Sequence, residues 1–227
     1  MTIHQLFPVR IYSEEVSYKP SDHAAAIALM ERLQRTAQWQ NGAKQAFNSV
    51  TGDRVPGATA SQFHRLAELD WLARQVVTSA HQYLTDLGAA ADAYQVHIQK
   101  AWPVIVGAGH GLNRHRHRNA HLSGVYYLGP MPKTSGALTF QRSDTHPEEF
   151  LPIYAACEQR WHWQPREGQL VLFPSELEHL VEPHRGSENR YSISFDLLIS
   201  THNRNRLGNG NEMLMTHPGT WRLDEEG

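Results

Sequence analysis

The chain has 227 residues, of which 40% are hydrophobic, and this length favours one domain with a single sizeable core. Lys and Arg (21) nearly balance Asp and Glu (23), and the net charge of −2 gives no overall attraction to nucleic acid or to an anionic membrane. The single cysteine, Cys157, excludes an internal disulfide framework, and no apolar run approaches the roughly twenty residues of a membrane helix. The N-terminus has no signal-peptide pattern, so we expect a cytoplasmic protein.

The first part of the chain reads as one strand followed by two helices. Residues 6–12 alternate loosely and predict a short strand, and residues 20–38 are rich in Ala and Leu at helical spacing. A Gly/Asn/Pro-rich stretch at 48–61 interrupts the pattern. Residues 61–88 then predict a long amphipathic helix that ends at Gly88, a residue type common just past a helix C-terminus.

From about residue 92 the period changes to that of short strands separated by Gly- and Pro-rich turns. This pattern is typical of an antiparallel barrel or jelly roll. Helices first and strands second indicate a mostly β fold, with two helices packed on one face of the strands. We therefore expect a single domain over 1–227, made of an N-terminal strand and helices (1–91), a strand-built core (92–200) and a polar tail (201–227).

The histidines are clustered. There are fifteen in the chain, and His115 and His117 are separated by one residue, so their side chains share a face if the stretch is extended. His121 shares that face only if the strand runs unbroken past Asn119. Two neighbouring imidazoles are candidate metal ligands, but a solvated basic patch that binds phosphate is the commoner origin of such a pair.

A second candidate site follows near the C-terminal end of the strands. His179 comes after a buried strand and a turn, and the segment "RYSISF" places Arg190, Ser192 and Ser194 on one face and apolar side chains on the other. A guanidinium that points into a barrel is costly unless an anion meets it. This segment predicts a carboxylate clamp that uses the planar fork of arginine; the alternative is that Arg190 pairs with an internal Asp or Glu.

Three segments together resemble a known family. "HRHRNAHLSGVYYL", "GQLVLFPSELEHLVEP" and "RYSISFD" are similar, in this order, to the 2-oxoglutarate/Fe(II)-dependent oxygenases with a double-stranded β-helix (jelly-roll, cupin-like) fold, in a prolyl-hydroxylase-like variant that carries H-x-H. The resemblance covers about residues 100 to 196. It implies Fe(II) bound by His115, His117 and His179. The usual set is two histidines and one carboxylate, and His117 stands where the carboxylate would be, which leaves the site one unit more positive.

The resemblance also implies a cosubstrate site and an activity. Arg190, assisted by Ser192, would bind the far carboxylate of 2-oxoglutarate, and Tyr127 would touch the same group. The implied reaction is O2-dependent hydroxylation, or another oxidation, of a C–H bond in a small-molecule or peptide substrate, with release of succinate and CO2. The alternative is a cupin-like three-histidine dioxygenase that does not use 2-oxoglutarate.

Other features leave alternatives open. Trp102, Trp161 and Trp163 either floor an aromatic pocket or pack the outside of the barrel. The two N-terminal helices either pack on the barrel or form a homodimer interface, and the sequence does not choose between these arrangements.

Overall fold

The computed structural model describes residues 8–36, 47–48, 62–90, 94–141 and 160–201. Within these ranges, no helix combines the length and the apolar character that a membrane span requires. Cys157 and the polar tail after residue 201 lie outside the described residues.

Two α-helices and ten β-strands make up the described structure. The helices are α1 (Pro20–Thr36) and α2 (Asp70–Asp86), and two short 3-10 turns, Phe63–Arg65 and Ala67–Leu69, precede α2. The strands are β1 (Tyr12–Glu15), β2 (Phe47–Asn48), β3 (Tyr94–Val106), β4 (Leu112–His115), β5 (Leu122–Leu128), β6 (Leu138–Gln141), β7 (Arg160–Trp163), β8 (Gln169–Pro174), β9 (Glu178–Val181) and β10 (Arg190–Thr201).

The strands form two antiparallel sheets. The major sheet has six strands in the order β1-β8-β5-β10-β3-β2, and the minor sheet has four in the order β4-β9-β6-β7. Neighbours in each sheet are mostly far apart in sequence, which is the connectivity of a jelly roll. The predicted fold class, a double-stranded β-helix with two added helices, is confirmed.

The two faces of the major sheet have different partners. On its outer face, Ile193 and Phe195 of β10 join the apolar core that contains Met30 of α1 and Val76 of α2. On its inner face, side chains of β5 and β8 form a smaller apolar cluster with Leu138 and Phe140 of the minor sheet. Strand alternation therefore separates a helix-covered core from the space between the two sheets.

A buried histidine ties α1 to the major sheet. Nε2 of His23 lies 2.7 Å from the hydroxyl of Tyr126 in β5, and its ring stacks on Tyr18 at 3.6 Å between centroids. Glu167 lies 3.3 Å from Nδ1 of His23. Burial lowers the pKa of His23, so the imidazole is neutral at neutral pH and serves as a packed, hydrogen-bonded core group.

The N-terminal elements differ from the predictions at their ends. The strand predicted at 6–12 lies partly outside the described residues, and within them the first strand is Tyr12–Glu15, because the backbone of this segment pairs with β8. The second helix is shorter than 61–88, because Leu66 is extended (ψ 137°) between the two 3-10 turns. It does end where predicted, and Gly88 adopts the left-handed φ of 92° that favours glycine.

At the end of the minor sheet, two glycines lie against the backbone at the end of β9. A Cβ on Gly136 would overlap the carbonyl oxygen of Glu182, just past β9, and a Cβ on Gly111 would overlap the carbonyl oxygen of Val181. Glycine is needed at both positions because two backbone segments touch there.

We expect Gly136→Ala to destabilise the protein by about 2 kcal/mol or more, since the clash is with backbone that cannot rotate away. Chemical denaturation measures the effect. Gly107→Ala is the matched control, because its Cβ would meet only side-chain atoms, at 3.6 Å or more. Equal stability of the two variants would contradict this packing.

Candidate metal centre

The minor sheet and the chain after β4 bring three histidines together. His115, the last residue of β4, is the direct cross-strand partner of His179 in β9. His117 follows two residues later, and its backbone N–H donates to the carbonyl of Ser175 at 2.9 Å. Since cross-strand partners and residues two apart share a face, all three side chains project into the space between the sheets.

The three imidazoles, here called the histidine cluster, converge on one point. One ligating nitrogen from each ring lies within 4.8 Å of those of the other two. Ring centroids are 5.2 Å apart for His115 and His117, 4.3 Å for His115 and His179, and 5.3 Å for His117 and His179. No other group of three His, Cys, Asp or Glu side chains within the described ranges has this geometry.

Hydrogen bonds at Nδ1 fix the tautomer of every member of the cluster. His115 Nδ1 lies 2.7 Å from the carbonyl oxygen of Asn113, and His179 Nδ1 lies 2.8 Å from that of Leu177. Carbonyl oxygens only accept, so each Nδ1 carries the proton. His117 Nδ1 lies 2.5 Å from the Asp196 carboxylate. The lone pair that remains on each ring is on Nε2, which is free to bind a metal.

The environment keeps the imidazoles of His179 and His115 neutral. Burial, together with the neighbouring His115 and His117, lowers the pKa of His179 to about 3. Desolvation also lowers the pKa of His115, although part of that residue is exposed to solvent. Neutral imidazole is the metal-binding form, so protons do not compete for these two nitrogens at neutral pH.

The inner face of β10 carries the second part of the site. Arg190 is 2% exposed, and NH1 of its guanidinium donates to Oγ of Ser192 at 3.3 Å. The guanidinium carbon lies 5.0 Å from the ring centroid of Tyr127, the neighbour of Ser192 across the strands. Burial raises the pKa of Tyr127 to about 12, so its phenol remains a protonated hydrogen-bond donor at neutral pH, and burial lowers the pKa of Arg190.

Two buried polar atoms here have no partner within the described part of the chain. They are Nε of Arg190 and the hydroxyl of Tyr127. No described carboxylate pairs with Arg190, so the alternative of an internal salt bridge finds no support in this part of the chain. A buried cation with free donors is costly unless an anion binds.

One cavity that is open to solvent joins the two parts of the site. Its lining includes the histidine cluster, and also Arg190, Ser192 and Tyr127. Trp102 lines the same cavity and lies 5.6 Å from His117 between ring centroids. Trp161 is 61% exposed and Trp163 packs against the inner apolar cluster, so only Trp102 among these tryptophans meets the pocket expectation.

Other residues considered from sequence are placed elsewhere. His121 does not join the cluster, because its Nδ1 accepts a hydrogen bond from the backbone N–H of Ile199 at 2.8 Å. Sequence reasoning missed Asp196, the carboxylate beside His117. The alternation of Arg190, Ser192 and Ser194 along β10, continued by one step, would have placed it on the inner face.

The residues present fit Fe(II) and 2-oxoglutarate. Nε2 of His115, His117 and His179 would hold Fe(II), and a set of three protein ligands is what non-haem iron oxygenases provide. An unpartnered buried guanidinium in the same cavity suits the second carboxylate of a dicarboxylic acid.

Comparison with known proteins agrees with this reading. Residues 100–196 match the family model described as "Putative 2OG-Fe(II) oxygenase". No curated protein sequence matches the chain. Among solved structures, a Pseudomonas putida prolyl-4-hydroxylase is 16% identical, with 83% of this chain and 92% of that chain covered and a TM-score of 0.52.

Two further solved structures share the fold. The non-heme alpha ketoglutarate dependent epimerase SnoN, from nogalamycin biosynthesis, has a TM-score of 0.59 at 14% identity, with 86% of this chain and 82% of that chain covered. HygX from Streptomyces hygroscopicus, solved with nickel and 2-oxoglutarate bound, has a TM-score of 0.53 at 7% identity, with coverages of 83% and 82%.

The segment that matches the family model contains the whole histidine cluster and the buried arginine. Over these residues the chain is similar to the 2-oxoglutarate/Fe(II)-dependent oxygenases.

Proposed function

We propose that the chain hydroxylates a C–H bond of a small-molecule or peptide substrate, and that 2-oxoglutarate and O2 are converted to succinate and CO2 in the same cycle. In this proposal Nε2 of His115, His117 and His179 holds Fe(II). Arg190 and Ser192 bind the far carboxylate of 2-oxoglutarate, and the Tyr127 hydroxyl donates to the same group. One oxygen atom of O2 goes to the substrate and the other to succinate.

The observation that carries the proposal is a buried guanidinium in the cavity of the histidine cluster that has no acidic partner among the described residues. A three-histidine dioxygenase without 2-oxoglutarate has no use for a buried cation at this place. The free Nε of Arg190 and the free hydroxyl of Tyr127 are two donors that one carboxylate can satisfy together. The three-histidine set fits both functions, and the buried Arg190 is the feature that distinguishes them.

In this proposal the protein binds and orients the metal and the cosubstrate, and it excludes water from the site. When bound, iron and 2-oxoglutarate supply the oxidising chemistry, which the side chains of this chain do not supply. Arg190 and Ser192 orient the dicarboxylate, and apolar side chains such as Phe173 and Val125 limit water around the cluster. Trp102 packs beside His117 and restricts the movement of that ring.

We expect His179→Ala and His115→Ala to lose stoichiometric binding of Fe(II) or Co(II), because each removes one of three nitrogens that meet at one point. Equilibrium dialysis followed by elemental analysis measures the bound metal. His162→Ala is the control, since His162 lies outside the cluster and pairs with Glu182 at 2.8 Å. Full metal content in His179→Ala would overturn the ligand assignment.

We expect Arg190→Met to keep the metal but lose 2-oxoglutarate. At one hundred times its Kd the cosubstrate should stabilise the anaerobic Co(II) protein by about 2.7 kcal/mol, and this gain should vanish in the variant. The cosubstrate-free variant should be no less stable than the wild type, because an uncompensated buried charge is removed. Chemical denaturation with and without 2-oxoglutarate measures both effects.

Arg74→Met is the matched control for that substitution. Arg74 is an exposed side chain of α2 that pairs with Asp70, away from the cavity, so its loss should leave the cosubstrate effect intact. Equal stabilisation of Arg190→Met and wild type by 2-oxoglutarate would contradict the clamp.

Activity is tested by succinate formation. The Fe(II) protein in air should convert 2-oxoglutarate slowly to succinate even without substrate, and Arg190→Met should form succinate at least about tenfold more slowly at low 2-oxoglutarate, as the loss of a charged hydrogen bond implies. Mass spectrometry with 18O2 should place one labelled oxygen in succinate. A wild-type protein that forms no succinate under any tested condition would refute the proposed reaction.

A further inference from the structure

We propose that Asp196 is a positioning residue that acts through His117. Its carboxylate supplies, from behind the His117 ring, the negative charge that a carboxylate ligand would otherwise bring to the metal. The inference rests on the proposed metal site. Most relatives of this kind have a carboxylate bound directly to the metal, whereas here a carboxylate stands one imidazole farther out.

The contacts of Asp196 carry the inference. Oδ1 of Asp196 lies 2.5 Å from Nδ1 of His117 and accepts a hydrogen bond from the N–H of that ring. The hydroxyl of Ser123 donates to the same oxygen at 2.9 Å, and Oγ of Ser123 is hydrogen-bonded to Oγ of Ser175 at 3.0 Å. Asp196 is 7% exposed, so the carboxylate is held in a buried, oriented position behind the ring.

The position of Asp196 on β10 explains why it reaches His117. Arg190, Ser192, Ser194 and Asp196 alternate along the inner face of β10, so the same strand carries the proposed anion clamp at one end and the carboxylate at the other. Ser123 is the cross-strand neighbour of Asp196 on β5. The register of β10 with β3 shifts just after Asp196, at a β-bulge, a feature often found next to functional sites.

His117 differs from the other two members of the cluster in this respect. His115 and His179 donate to neutral backbone carbonyls, whereas His117 donates to a carboxylate. A carboxylate behind a ligating histidine fixes the ring and makes its free nitrogen more basic. The negative charge therefore reaches the metal through the ring that replaces the usual acidic ligand.

No competing cation takes this carboxylate in the described ranges. Lys100 faces Asp196 across β3 and β10, but no ion pair joins them, and the carboxylate of Asp196 instead accepts a hydrogen bond from His117. A buried carboxylate is costly without a partner, and His117 with Ser123 supplies the donors that offset this cost.

The test is Asp196→Asn, which keeps an oxygen acceptor for Nδ1 and removes only the charge. We expect the affinity for Co(II), measured by competition with a chromophoric chelator, to fall by about 10- to 100-fold. The midpoint potential of bound iron should become more positive, because Fe(III) loses the nearby negative charge. Thermal unfolding of the metal-free protein should change little, which separates a role at the metal from a role in folding.

Glu182→Gln is the matched control. It neutralises a carboxylate that pairs with His162, a histidine outside the cluster, and should leave cobalt affinity and iron potential unchanged. If Asp196→Asn does not fold, Ser123→Ala replaces it: it frees the carboxylate without removing the charge and should weaken cobalt binding about three- to tenfold, the worth of one hydrogen bond.

The outcomes separate this inference from the proposed function. A wild-type protein that binds no cobalt overturns the metal site and the role of Asp196 with it. A wild-type protein that binds cobalt, with Asp196→Asn equal to it in affinity and iron potential, overturns the role of Asp196 alone. Unchanged cobalt binding in a folded Ser123→Ala protein would overturn it as well.

Discussion

Three hydrogen bonds at Nδ1 are the constraint on which the site depends. They hold the rings of His115, His117 and His179 in one tautomer and turn each Nε2 toward a common point. Without them each ring could rotate and present either nitrogen, and binding a metal would require ordering three side chains. Two of the acceptors are backbone carbonyls two residues before the histidine itself, so local chain geometry alone orients these two rings.

The inner face of β10 carries two buried charged side chains, Arg190 and Asp196, whose burial lowers the stability of the fold. An apolar inner face would pack the two sheets more tightly, but this strand buries a guanidinium and a carboxylate there. Arg190 keeps a donor free, whereas Asp196 is already paired with His117 and Ser123. In the proposed function Arg190 binds an anion from outside, and in the further inference Asp196 supports His117 from behind its ring. The apolar side chains on the outer face of β10 pack in the core under the helices, and this packing offsets the cost of the buried charges.

Sequence patterns predicted the faces of strands well and the ends of elements less well. Alternation in "RYSISF" correctly separated core residues from Arg190 and Ser192, because side-chain direction in a strand depends only on position parity. The start of β1 and the length of α2 depend on pairing with β8 and on the extended Leu66. Those are tertiary effects, which local propensity does not report.

Asp196 shows the same limit at the level of chemistry. Its partner His117 is 79 residues away in sequence, and a search for acidic residues near the histidines could not find it. The convergence of His115 with His179 was inferred from a resemblance to relatives, because cross-strand register between distant segments is set by the whole sheet. Residue types, spacing and that resemblance thus predicted the three histidines that the structure brings together, but not the carboxylate beside His117.

A crystal structure of the Fe(II) protein, grown without oxygen and soaked with the inert analogue N-oxalylglycine, tests the central claim most directly. The account predicts one iron bound by Nε2 of all three histidines, with the far carboxylate of the analogue against Arg190 and the hydroxyl of Tyr127. Iron bound by fewer than three of these rings, or an analogue whose far carboxylate points away from Arg190, would contradict it.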